Sequence, residues 1–268
     1  MERPNLWGNT GDRVPFSRQR MSETIWFLKR CPLFTLLSDD ELRSLESRSL
    51  ARKFEKNSAI YLPMDAAESV FLMAKGRAKI CHLTPEGKQS ILAFIEPGEL
   101  FGELSILDEG KREEYAEAVE ATTVVKIPGD VMRELMDHHA GVSLGVTKLI
   151  GLRRRRIERR LKNLLFLSNR ERLTHLLLEL MEQYGNQTKE GIELRIRLSH
   201  QDLANVIGST RETVTVVLGE LQGEGLIQVG RRKIIICDAA GLAESVEQTP
   251  PPLPEDNQPN LGVLARQQ

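Results

Sequence analysis

The hydrophobic period of the chain changes near Pro128, and that change restricts the fold more than any single motif. Between residues 50 and 127 stand the short runs "AIYLP", "SVFLMA", "RAKICHL", "SILAFI", "YAEAVEA" and "TVVKIP". Lys75-Gly76, Pro85-Glu86-Gly87, Pro97-Gly98 and Glu109-Gly110 punctuate them. Strands this short, broken by glycine turns, predict an antiparallel sandwich or roll. Beyond Pro128 apolar residues recur at steps of mainly three and four, through Leu144, Leu149, Ile150, Ile157, Leu161, Leu164 and Leu165. That spacing predicts a long helix with one apolar stripe. A second copy of the same helix covers the stripe most simply, as a parallel coiled coil seamed by Leu149, Ile150, Ile157, Leu161 and Leu164. Packing on the chain's own roll is the competing arrangement. Ahead of the strands, 22–47 reads as helical, broken at Pro32, with Ser38 placed to cap "DDELRSLES".

Downstream, "SHQDLANVIGSTRETVTVVLGELQGEGLI" (199–227) predicts two helices joined at Gly208. Ser199 caps the first, and Ala204 is small where two helices must cross. The second buries Val214, Val217, Leu218 and Leu221, leaving Thr210, Arg211, Glu212, Thr215 and Val216 outward. In a helix-turn-helix these positions enter the major groove, with Ser199, Gln201 and Ser209 on the approach to the backbone. Arg bonds guanine O6 and N7 as a pair, Glu accepts from cytosine N4, and Val meets a thymine methyl. "GLIQVGRRKIIICD" then reads as a two-stranded wing whose Arg231, Arg232 and Lys233 neutralise phosphates. From 199 to 233 four basic residues face four acidic ones, so non-specific attraction to DNA is weak for this segment alone. The competing function is a non-DNA sensor or scaffold that uses the helical hairpin for assembly.

Composition excludes several classes. With 40% hydrophobic residues, 28% charged residues and a net charge of −1, the chain is neither disordered overall nor membrane-spanning. "MERPNLWGNTGDRVPFSRQR" lacks the apolar core of an export signal. Cys31, Cys81 and Cys237 are too few and too scattered for a disulfide framework or metal centre, and the histidines show no ligand spacing. A cytoplasmic location follows as the expectation. Neither a nucleophile–base set nor a P-loop is present, so an enzyme is not expected. Residues 1–20 and the Pro-rich 241–268 read as flexible extensions.

Roll, long helix and winged helix-turn-helix in that order resemble the Crp/Fnr family of bacterial transcription regulators. "FGELSIL" at 101–107 resembles the family's phosphate-binding loop, and "LSHQDLANVIGSTRETVTVVLGEL" at 198–221 its recognition signature. The resemblance implies an α+β chain: a jelly-roll-like antiparallel β-roll at 21–137, a dimerisation helix at 138–167 and a winged helix-turn-helix at 168–240. It also implies a homodimer on a pseudo-palindromic operator of double-stranded DNA, contact with RNA polymerase, and no membrane partner. Many members carry a second Arg where this chain has Val216.

An effector pocket between roll and long helix is implied as well, from Phe101, Gly102, Glu103, Leu104, Ser105, Arg112, Glu113, Glu114, Arg153, Arg154, Ile157 and Glu158. In cyclic-nucleotide-binding members an Arg about ten residues past "FGEL" holds the phosphate, and the loop Glu takes the ribose hydroxyl. Counted straight across, that Arg position falls on Glu113 or Glu114, and residues 99–120 hold eight acids against Lys111 and Arg112. Carboxylates there repel a phosphate, unless a shifted loop brings Arg112 round. Where the family's cyclic-AMP receptors present hydroxyls to adenine stand Ile157 and Glu158. A pocket altered away from cyclic AMP is therefore expected.

"GLRRRRIERRLK" points arginines round every face of the helix, so Arg153 or Arg154 falls between Ile150 and Ile157. A buried guanidinium there needs an anion or a carboxylate. The favoured reading is an ion-pair lock with Glu113, Glu114 or Glu117. The alternative is a small anionic effector, a cyclic nucleotide or a 2-oxoglutarate-like anion, since the nitrogen-control branch reads 2-oxoglutarate partly with an Arg on this helix. No cofactor is expected.

Overall fold

The computed structural model describes residues 23–85, 87–107, 110–231 and 233–254; the expected extension 1–20 lies outside them. The chain opens with α1 (Glu23–Lys29), a 3-10 turn at Pro32–Phe34 and α2 (Asp39–Ser47). Ser38 caps α2 reciprocally: its hydroxyl accepts from the Glu41 amide, and the Glu41 carboxylate accepts from the Ser38 amide at 2.8 Å.

The roll follows, as β1 (Leu50–Phe54), β2 (Ala59–Tyr61), β3 (Ser69–Lys75), β4 (Ala78–Leu83), β5 (Gln89–Ile95) and β6 (Leu100–Phe101). The short α3 (Leu104–Leu107) comes next, then β7 (Tyr115–Ala118) and β8 (Thr122–Pro128). Two antiparallel sheets face each other, one ordered β1-β8-β3-β6 and the other β2-β7-β4-β5. Strand β3 is buried along six of its seven residues, against the alternation of a half-wet strand. Both its faces are covered. Phe71 and Met73 point into the roll with Ile80, Phe101, Ala116 and Val124, while Val70 and Leu72 pack outward on Phe27, Leu28, Leu42, Met132 and Val146.

Helix α4 (Gly129–His138) leads into α5 (Ala140–Phe166), whose 27 residues span about 40 Å at ~1.5 Å per residue. Val142, Val146 and Leu149 lie in the chain's own core. Leu149 is thus not a seam residue as the stripe alone implied, and Ile150 is half-buried beside the same core. At Gly145 a Cβ would clash with a Leu33 methyl, so a side chain there would make the Leu33 side chain shift.

After the extended Leu167, Ser168 caps α6 (Asn169–Tyr184). Then come β9 (Gly185–Thr188), β10 (Gly191–Leu194), α7 (His200–Ile207), α8 (Arg211–Gly223), β11 (Ile227–Gly230), β12 (Lys233–Ile236) and α9 (Ala239–Glu244). The wing strands join a β9–β10 hairpin in the order β11-β12-β10-β9, an addition to the two-stranded wing expected. The stretch 241–254 is not the flexible tail expected. It completes α9, and Val246 and Leu253 pack on the C-terminal core. The remainder, 255–268, lies outside the described residues.

The C-terminal core also takes in Cys81, Ile91 and Phe94 of the roll. Polar contacts tie the same junction: the Asn205 amide donates to Gln89 at 2.9 Å, and Arg160 donates to the Leu92 carbonyl at 2.7 Å. The helix-turn-helix is therefore docked on its own roll through β4 and β5.

Candidate functional site

Gly208 ends α7 in the left-handed conformation, φ 66°, which a glycine adopts without a Cβ penalty. The turn's freed carbonyl at Ile207 accepts from Arg172 at 2.9 Å. Thr210 then caps α8, accepting from the Thr213 amide at 3.2 Å. Val214, Val217, Leu218 and Leu221 are buried, and Thr210, Arg211, Glu212, Thr215 and Val216 are exposed. Val216 is 61% exposed, an apolar side chain left open to solvent by the described residues. Neither Arg211 nor Arg231 pairs with an acid among the described residues, while Lys233 is shared with Glu193 at 3.1 Å.

A cleft of ≈ 510 Å³ opens between α8 and the wing, lined by Ser199, His200, Gln201, Arg211, Arg231 and Lys233 among others. It brings three cations to one side of the fold. Ser199 caps α7 and Gln201 points outward, bonded to Asn205 at 2.8 Å. Ser209 is half-buried, and Arg232 lies outside the described residues. His200 carries no signal in the sequence that marks it as a site residue. Its Nδ1 lies 2.8 Å from the Thr215 hydroxyl, tying α7 to α8.

Inside the roll the "FGEL" loop is already furnished. Gly102 has φ +68°, and a Cβ on it would meet the Arg112 guanidinium at 2.8 Å. Arg112 is buried, donates to the Ser69 carbonyl, and lies 4.1 Å above the Tyr61 ring and 5.3 Å from that of Phe71. Tyr61, Phe71 and Phe101 stack with centroids 5.3–6.3 Å apart. The Ser105 hydroxyl serves the Gly102 and Ser69 carbonyls at 2.8 and 3.0 Å.

This overturns the straight count along the loop. Glu113 is exposed, and Glu114 is half-buried, accepting from the Tyr61 hydroxyl at 3.3 Å. A base, Arg112, occupies the interior where acid was expected. Inward residues alternate along the strand through Glu114, Ala116 and Ala118, so Arg112 falls on the inward parity and Glu113 on the outward one. Leu104 turns outward, 51% exposed, and is no part of the pocket.

On the helix side Arg153 turns inward and pairs with Glu103, also donating to the Leu100 carbonyl at 2.6 Å. Burial opposes the charge on Arg153, and the Glu103 carboxylate, with Glu99 and Tyr61, more than offsets it, raising the guanidinium's pKa. Arg153 does hold a carboxylate, but it is that of Glu103 and not of Glu113, Glu114 or Glu117. Glu114 stays with Tyr61, and Glu117 pairs with Lys79 at 3.1 Å. Arg154 is exposed, paired with Glu158 at 2.7 Å. Ile157, Leu161 and Leu164 are each about half exposed (50%, 54% and 49%) and form, with Arg154, an uncovered stripe. Burial pushes the Cys31 thiol up to about 12 and the Cys81 thiol up to about 11, so neither is a thiolate near neutral pH.

Residues 51–139 match the family model of the cyclic nucleotide-binding domain, and 171–245 that of the Crp-like helix-turn-helix domain. A cyclic AMP receptor protein of Thermus thermophilus is 31% identical over 217 residues, covering 81% of this chain and 97% of its own. A global nitrogen regulator of a Nostoc species is 30% identical over 185 residues, covering 68% and 83%. Among solved structures, a CRP-family transcriptional regulator of Thermus thermophilus aligns with TM-score 0.62 at 26% identity, over 74% of this chain and 98% of its own. A CooA variant of Carboxydothermus hydrogenoformans aligns with TM-score 0.70 at 24% identity, over 81% and 95%, and speaks for the fold alone.

Proposed function

Since the chain belongs to the Crp/Fnr family of DNA-binding transcription regulators, we propose that it acts in the cytoplasm as a homodimer. It binds a pseudo-palindromic operator and contacts RNA polymerase, with no cyclic nucleotide in its roll. One observation carries the DNA-binding half. The outward turn of α8 presents Arg211, Glu212, Thr215 and Val216 beside a cationic wing, all of them exposed and only Thr215 bonded to a neighbouring element among the described residues, through His200. Arg211 and Glu212 then read base edges, and Val216 meets a thymine methyl. Ser199, Gln201, Ser209, Thr210 and the wing cations Arg231, Arg232 and Lys233 hold the backbone. The stripe of Ile157, Leu161 and Leu164 supports pairing of α5 with a second copy. Selection from a randomised duplex pool should return a two-fold symmetric sequence with half-sites about 10 bp apart centre to centre. Recovery of single, unpaired half-sites would count against the dimer.

The pocket half rests on occupancy rather than repulsion. The groups that would greet a nucleotide are already bonded: Arg112 to Ser69 and the Tyr61 ring, Glu103 to Arg153, Ser105 to two carbonyls. Binding would have to break these buried contacts first. Titration calorimetry with cyclic AMP and cyclic GMP should therefore give no saturable heat at micromolar concentration, and micromolar binding of either would refute this half. A 2-oxoglutarate-like anion meets the same obstacle, since the helix arginine that turns inward, Arg153, already holds a carboxylate.

A further inference from the structure

We propose that DNA binding by this protein is linked to protonation of His200, whose imidazolium donates to a backbone phosphate in the cleft between α8 and the wing. The proposal rests on the DNA-binding reading above. The Thr215 hydroxyl donates to the Arg211 carbonyl at 2.9 Å, which uses its only proton. Its 2.8 Å contact with His200 Nδ1 is then satisfied by Nδ1–H as the donor, which leaves Nε2 to meet a ligand.

No described residue bonds Nε2, and His200 lines the cleft that also holds Arg211, Arg231 and Lys233. The first helix of a helix-turn-helix crosses the sugar-phosphate backbone, which sets the ring against phosphate. A neutral ring offers the phosphate oxygen a lone pair; a protonated one offers a donor and a charge.

The charged residues that line the cleft with His200 are Arg211 on α8 and Arg231 and Lys233 on the wing. Glu212 follows Arg211, Glu193 of β10 shares Lys233, and Asp202 on α7 is engaged by Ser199 and lies 3.8 Å from Lys79. A phosphate brought to Nε2 favours the proton there, so binding takes up a proton. Affinity is then higher at low pH than at high pH. Histidine is the side chain that ordinarily changes charge between about pH 5 and 8.

Because a phosphate contact carries no sequence information, a fluorescent duplex of arbitrary sequence serves as the probe. Anisotropy salt titrations at about pH 5.5 and 8.5, either side of the usual histidine range, should differ. The slope of log K against log salt should be steeper at the lower pH by about 0.9 for each subunit's phosphate contact. Calorimetry in buffers of different ionisation enthalpy should report proton uptake between these limits. In His200→Gln the pH difference in slope and the proton uptake should vanish, and a thermal-unfolding midpoint equal to that of the unaltered protein certifies its fold. Binding whose slope ignores pH, or a His200→Gln protein that keeps the difference, would overturn the proposal alone. Failure to bind any duplex at any pH would sink the DNA-binding reading itself.

Discussion

Arg211→Ala is expected to weaken binding to the selected operator about five- to 150-fold, the ~1–3 kcal/mol that a bidentate base contact contributes to discrimination. Binding to an unrelated duplex should change little. The difference between these two numbers is the informative quantity, because a guanidinium that only neutralised phosphate would lower both equally. Folding should not intervene. Arg211 is exposed, makes no ion pair among the described residues, and is not the residue that caps α8, a task held by Thr210. The unfolding temperature should stay within the small range of surface substitutions. Equal affinity of the variant and the unaltered protein for the operator would remove the central support for α8 as the reading helix.

The larger effect is expected on stability, from Arg153→Met. The Glu103 side chain is 7% exposed and that of Arg153 17%, so the substitution strands a carboxylate inside the fold. Breaking a buried pair from one side costs about 3–5 kcal/mol, because the remaining charge keeps its desolvation penalty and loses its partner. Pairing the change with Glu103→Gln removes that stranded charge, and the double variant should recover most of the loss. Such non-additivity is the mark of direct contact. Urea-unfolding midpoints of the two single variants and the double variant measure it. If the double variant is as destabilised as the sum of its parts, the two side chains are not a lock.

Much of this arrangement was legible in the residues themselves. The roll strands, the long helix and the helix-turn-helix with its glycine turn follow from hydrophobic period, caps and turn residues. Each of these acts over a few neighbouring positions. The outward set on α8 follows from the same 3.6-residue period, because burying Val214, Val217, Leu218 and Leu221 leaves one face for Arg211, Glu212, Thr215 and Val216.

The interior of the roll was not legible in that way. Counting along "FGELSILDEGKREEYAEAV" placed Glu113 or Glu114 where the chain in fact buries Arg112. A strand's side chains alternate between faces, so a one-residue difference in how the connecting loop enters β7 exchanges an acid for a base. Likewise the α5 stripe reads as one seam in sequence, yet the core claims Leu149 and leaves Ile157, Leu161 and Leu164 uncovered.

The sequence by itself thus determined which segments are strands and helices and which face of α8 meets solvent, since these are set by local spacing. Only the tertiary structure decided that Arg112 fills the roll, that Arg153 takes Glu103, that the stretch to Pro254 packs down, and that His200 meets Thr215. Those outcomes depend on which distant surfaces meet, and burial makes an unpaired charge or hydrogen-bonding group costly enough to choose its partner there.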